Sequence, residues 1–209
     1  MLFLNKIYHF VLYMSSKYNI DESHGMMHSM NVLNNAHNIY ESELPKYPFL
    51  IDQQKIIYVS AALHDMCDRK YIDEDLGIKQ IQDFLEDKMD EKEIEITKKI
   101  ITTMSYSKVK KNGFPELGEY QQAYHIVREA DLLSAYDFDR CITYKMKQTN
   151  ENFETSFHDA KKLFEERMFQ HNNDGLFISD YSKRESFILE QIAHHRIDNW
   201  NKIILNMTR

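Results

Sequence analysis

Apolar side chains recur every three to four residues along most of this chain. From Ser23 to about Glu41 they fall at Met26, Met30, Leu33, Ala36 and Tyr40, and from about Asp52 to Met66 at Ile56, Val59, Leu63 and Met66. Both sets have the repeat of one helical face. Asp21 or Ser23 is placed to cap the first of these helices, and a polar, Pro-bearing link, SELPKYPF, separates the two. Further helices are predicted near residues 76–88, 91–104, 120–135, 138–147, 154–170 and 179–201. The opening MLFLNKIYHFVLYM is apolar but interrupted by Asn5, Lys6 and His9, and too short for a bilayer of ~30 Å. It is expected to be a first helix packed on the core, with an interfacial membrane helix as the weaker alternative. KVKKNGFPELGE, from Lys108 to Glu119, reads as an exposed, mobile segment.

Composition strengthens the helical reading. Only 5 Gly and 3 Pro occur in 209 residues; strand-rich folds need more turn chemistry than that, so the expected class is an all-α helical bundle. The length suits one domain over residues 1–209. A formal charge of −7 argues against general affinity for nucleic-acid backbone, while leaving room for a local basic pocket. Cys67 and Cys141 cannot form a disulfide framework and nothing resembles a secretory signal, so a reduced, cytoplasmic compartment without membrane attachment is expected.

Three segments place ligand-type residues where buried helix is otherwise expected: SHGMMH (Ser23 to His28), LHDMCDRKY (Leu63 to Tyr71) and READLLSAY (Arg128 to Tyr136). His64 and Asp65 follow the run Val59, Ser60, Ala61, Ala62 and Leu63, and Asp131 stands between Ala130 and Leu132. Buried carboxylates and imidazoles are costly unless paired or bound to a cation. Taken singly, each has a plainer explanation, such as a core histidine with its hydrogen bonds satisfied or a packing acid paired with an Arg. Together they point to one site. His194 and His195, in QIAHHRIDNW, have only Asp198 nearby and are assigned to the closing helix.

In these segments the chain resembles the HD superfamily of metal-dependent phosphohydrolases, whose pattern is a His on one helix, a His-Asp pair ending a second and a distant Asp on a later one. The resemblance implies a compact HD-domain bundle with His28, His64, Asp65 and Asp131 as metal ligands. It is nearest to a branch whose first motif reads roughly HDxxH, matched by His24, Gly25 and His28. IITTMSYSK (Ile100 to Lys108), FHDAKKLFEERM and YSKRESFILEQI are similar to later segments of that branch. Gly25, Met104 and Leu132 depart from it, standing where the branch has Asp, His and Arg.

Two imidazoles and two carboxylates suit a divalent transition metal, Mn²⁺ first, with Fe²⁺, Co²⁺ and Zn²⁺ as alternatives. Without a cation the two carboxylates are expected to repel each other and titrate upward. Asp68, four residues after His64, would share its side of a continuing helix; with Asp65 it is a candidate catalytic group, or else a surface acid paired with Arg69 or Lys70. His24, Arg69, Lys70 and Lys108 are the candidate contacts for substrate phosphate. The expected activity is hydrolysis of a small phosphorylated metabolite, foremost a nucleotide, with homo-oligomerisation left open. The alternative, motivated by the three departures, is a catalytically weak nucleotide-binding or regulatory HD module.

Overall fold

The computed structural model describes residues 2–207. Every regular element among them is helical: α1 (Phe3–Tyr18), α2 (Met26–Glu43), α3 (Gln54–Leu63), α4 (Glu74–Leu85), α5 (Glu91–Thr103), α6 (Tyr106–Asn112), α7 (Gln121–Ser134), α8 (Phe138–Thr149), α9 (Phe153–Glu166) and α10 (Asp180–Met207), with short 3-10 turns at Pro48–Gln53, Gly118–Tyr120 and Met168–Gln170. The expected all-α class is what the chain adopts. The domain expected over 1–209 contains two compact units, one ending at Asp131 and the other beginning at Leu132, so α7 runs from the first into the second.

In the first unit α3 is the central element. Ile56, Ile57, Val59, Ser60, Ala61, Ala62 and Leu63 are all buried, so it is enclosed on every side rather than along one stripe. Its small residues let α1, α2 and α5 pack against it. The helix stops at Leu63, three residues short of the predicted Met66, and a turn carries His64 to Cys67. Gly77, in the first turns of α4, is pressed against that turn: a Cβ there would lie 2.6 Å from Cys67 Cα and 2.7 Å from Cys67 Cβ.

α1 buries Ile7, Val11 and Met14 and stacks Phe10 on Phe84 of α4 at 4.4 Å, as expected of a core-packed first helix. No helix among the described residues is long and apolar enough to cross a membrane. Side-chain caps start α4 at Asp73 and α5 at Asp90, the latter with Glu93 in a reciprocal capping box. α2 differs from expectation, beginning at Gly25 without a side-chain cap. The segment read as a mobile loop is helical through Asn112, as α6, and becomes irregular only from Gly113. Val109 supplies the buried contact that makes this short helix worth forming.

The second unit pairs α8 with α9 and α8 with α10. Its core holds Phe138, Ile142, Phe157, Phe164, Met168, Ala193 and Ile197. Asp137 and Asn152 cap α8 and α9. His194 and His195 lie on α10 as expected; His194 stacks on Phe169 at 4.1 Å and His195 Nε2 is 3.0 Å from Asn199.

Candidate metal centre

His28, Asp65, His64 and Asp131 come from the first turn of α2, the turn after α3, its C-cap and α7, and they meet at one point of the first unit. His28 Nε2 lies 3.2 Å from His64 Nε2, 3.2 Å from Asp65 Oδ2 and 3.3 Å from Asp131 Oδ1. His64 Nε2 lies 3.2 Å from Asp65 Oδ2 and 3.6 Å from Asp131 Oδ1. Donors that share an ion at about 2.1 Å with near-right angles between them sit roughly 3 Å apart, so the spacing of His28, His64 and Asp65 fits a common ligand set, with Asp131 Oδ1 in reach of both imidazoles.

The surroundings are built to hold it. His64 Nδ1 faces the Ala61 carbonyl at 2.9 Å; an N–H donated there orients the ring so that Nε2, once deprotonated, would offer its lone pair to an ion in the cluster. Ser29 Oγ donates to Ala62 O at 2.7 Å, and Asn35 Nδ2 to Ala130 O at 3.4 Å. Those bonds tie α2 to the two elements that bring His64 and Asp131. Asp65 Oδ2 is buried, and among the described residues the two imidazoles are the polar groups that reach it, so a cation seated between them would satisfy it.

Burial by itself favours the neutral form of each group. For His64 the carboxylates of Asp65 and Asp131 outweigh it and hold the imidazole well above its ordinary range. Burial likewise pushes Asp65 and Asp131 upward, but His64 and His28 hold both well below the usual carboxylate range. The expectation that the two acids repel and titrate upward without a metal is therefore corrected. A protonated His64 between them takes the place of the cation.

Asp68 is not on a continuing helix, because α3 has already ended. Its Oδ1 accepts from the Lys70 backbone N–H at 2.9 Å and its Oδ2 lies 3.4 Å from Lys70 Nζ, so it closes the turn and pairs with Lys70. Arg69 and Lys108, expected at substrate phosphate, both engage Glu74: Arg69 Nε donates to Oε2 at 2.7 Å and Lys108 Nζ pairs with Oε1. Lys108 also donates to Thr102 O at 2.6 Å. Arg69 and Lys70 line an open depression formed by residues 69–75.

His24 is placed beside the cluster, its ring 6.1 Å from that of His28, and is held by residues the motif reading did not single out. Ser23 Oγ and Tyr71 Oη lie 2.7 and 3.0 Å from Nδ1. Both hydroxyls donate to Asp21, Tyr71 at 2.7 Å to Oδ2 and Ser23 to Oδ1. Their oxygens are thus left to accept from an Nδ1–H, and Nε2 faces Lys70 Nζ at 3.1 Å. Asp21, expected as a helix cap, serves this network instead. Of the three departures, Met104 and Leu132 are buried at 3% exposure each, and a Cβ on Gly25 would lie 3.1 Å from Asp21 O.

No family model and no curated sequence matches the chain. In structure it is similar to a Lactobacillus plantarum protein solved as a structural-genomics target, with a TM-score of 0.67 and 18% identity over 99% of this chain and 100% of that one. At that identity the likeness concerns the fold.

Proposed function

We propose that this chain is a metal-dependent phosphohydrolase of the HD type, acting on a small phosphorylated metabolite, foremost a nucleotide. The observation that carries the reading is the convergence of two Nε2 atoms and two carboxylate oxygens within 3.6 Å of the imidazoles. His28, His64, Asp65 and Asp131 would hold one divalent transition metal, Mn²⁺ first. When bound, such an ion supplies Lewis acidity, lowering the pKa of a water and neutralising phosphate charge. The residues around it do the rest: His24, oriented by Tyr71, Ser23 and Asp21, presents Nε2 beside Lys70, so the pair offers one flexible positive charge and one imidazole edge to an incoming anion.

One observation favours a second reading, a weakly active nucleotide-binding or regulatory module. Glu74 engages both Arg69 and Lys108, two of the cations expected to meet phosphate. Incubation of the purified protein with a mixed nucleotide pool and Mn²⁺, read by product mass, separates the two. Release of phosphate or pyrophosphate that chelation stops is the expected result. Saturable nucleotide binding with no product under any divalent metal would replace the enzyme reading with the module.

A further inference from the structure

The first unit buries a second charge apart from the metal cluster. Arg128 is 1% exposed, and its Nε and Nη1 have no hydrogen-bond partner among the described residues. Among the described residues Nη2 alone reaches polar neighbours, Glu129 Oε1 at 3.3 Å and His125 Nδ1 at 3.4 Å. Phe114 roofs the group with its ring centroid 4.7 Å from Cζ and meets His125 edge-on at 5.0 Å. A guanidinium that gives up hydration and leaves two of its three nitrogens unused is costly unless something else is meant to bind there.

The hydrogen bonds behind it dictate what His125 presents. The Leu117 N–H donates to Gln121 Oε1 at 3.0 Å, which leaves Gln121 Nε2 to donate to His125 Nε2 at 3.1 Å. Burial, reinforced by the Arg128 charge, pushes His125 down to about 4, so the ring is neutral and its single hydrogen must sit on Nδ1. That N–H faces Arg128 Nη2, donor against donor. Around the guanidinium the donors thus exceed the acceptors, with Glu129 the carboxylate in contact. The Glu129 carboxylate balances the guanidinium charge, and an oxyanion would bring the acceptor lone pairs that Nε, Nη1 and the His125 N–H lack.

We propose that Arg128 and His125 form a binding site for a tetrahedral oxyanion of the phosphoryl type, beneath Phe114 and independent of the metal ion. Phe114 is itself 39% exposed, so the ring over the guanidinium lies at the surface, and it follows Gly113, whose φ is +75°. Arg128 stands one turn before Asp131 on the same side of α7, which puts the site next to the metal centre without sharing a residue with it.

Titration calorimetry with inorganic phosphate and pyrophosphate, on protein stripped of metal by chelator, tests this separately from any hydrolysis. Wild type is expected to bind saturably, and Arg128→Met to bind at least tenfold more weakly at unchanged helical content. Arg128→Lys keeps the charge but loses the fork and serves if the Met variant does not fold; its expected loss is severalfold. Absence of saturable binding to wild type, or Arg128→Met or Arg128→Lys binding as wild type does, would overturn the site.

Discussion

In the second unit Phe138 meets Phe157 and Phe164 edge to face at 5.6 and 5.1 Å, in a core completed by Ile142, Met168 and Ile197, with the ionisable His171 buried beside it. At the same depth the first unit buries His28, Glu43, His64, His125, Arg128 and Glu129. Rings and methyl groups in a dry core stabilise a fold by dispersion and burial and ask for no partner. Ionisable groups placed there cost desolvation and return it only through geometry. The difference teaches where the molecule has given up stability to hold charged groups together, and it can be pressed by substitution in each region.

The largest effect is expected at the metal cluster. His64→Ala or Asp131→Ala should abolish stoichiometric divalent metal, measured by elemental analysis, and reduce hydrolysis to background, with the helical circular-dichroism signal largely kept. Full metal occupancy in His64→Ala would remove the cluster from the function. Phe157→Ala in the other unit should do the opposite. It is fully buried, so its loss should cost about 3–5 kcal/mol of unfolding free energy while the folded fraction still binds one metal. A variant that lost metal in proportion to stability would show that the two regions are not separable in this way.

Acid should act on the first unit through His125. Its folded pKa of about 4 lies below the ordinary 6.5, so the unfolded chain binds the proton more readily. The contribution is complete above pH 6.5 and is lost as pH falls toward 4, amounting to at most ~3 kcal/mol. Denaturant titrations of wild type and His125→Gln between those pH values should diverge in slope. Parallel curves would mean that the ring is solvated.

These expectations rest unequally on what could be read from the chain. The 3.6-residue repeat located all the long helices, because amphipathic burial writes itself into periodicity. It overran α3, since Met66 continues the apolar stripe although the backbone turns at His64, and buried residues do not reveal whether the helix carrying them has ended. The seven-residue α6 was missed because KVKKN looks solvated and only Val109 is buried. That His28, His64, Asp65 and Asp131 belong together was legible from ligand-type residues set in apolar runs and from the resemblance of their spacing to the HD pattern. Their electrostatics were not: whether Asp65 and Asp131 rise or fall depends on the proton of His64, which is a matter of distance. Lys108 and Arg69 looked like phosphate contacts because sequence shows a charge without its partner, and Glu74 lies 34 residues from Lys108.

A smaller effect is expected where backbone packing sets the ligand turn. Gly77→Ala would drive a methyl group into Cys67, displacing α4 or the turn that carries Asp65, at a cost of about 1–3 kcal/mol. Metal affinity should weaken along with the melting temperature. Loss of stability with metal affinity untouched would show that α4 alone gives way.

The smallest effect concerns the hydroxyl of Tyr71. It donates to Asp21 Oδ2 at 2.7 Å and lies 3.0 Å from His24 Nδ1, so it links a carboxylate to an imidazole without reaching the metal cluster itself. Tyr71→Phe removes one hydrogen bond of each kind and leaves the ring that packs against His24 at 5.5 Å. Ser23 still accepts from the same nitrogen, so the imidazole keeps one anchor and is not released. Losing a single orienting hydrogen bond is worth ~1 kcal/mol, and turnover should therefore fall by about five- to tenfold with metal content unchanged. A positioning role predicts that Asp21→Asn produces a similar loss, since the carboxylate fixes the direction in which both hydroxyls donate, and that combining the two changes adds little. Additive losses in the double variant would mean that Tyr71 and Asp21 act on different groups, and that His24 is not oriented through them.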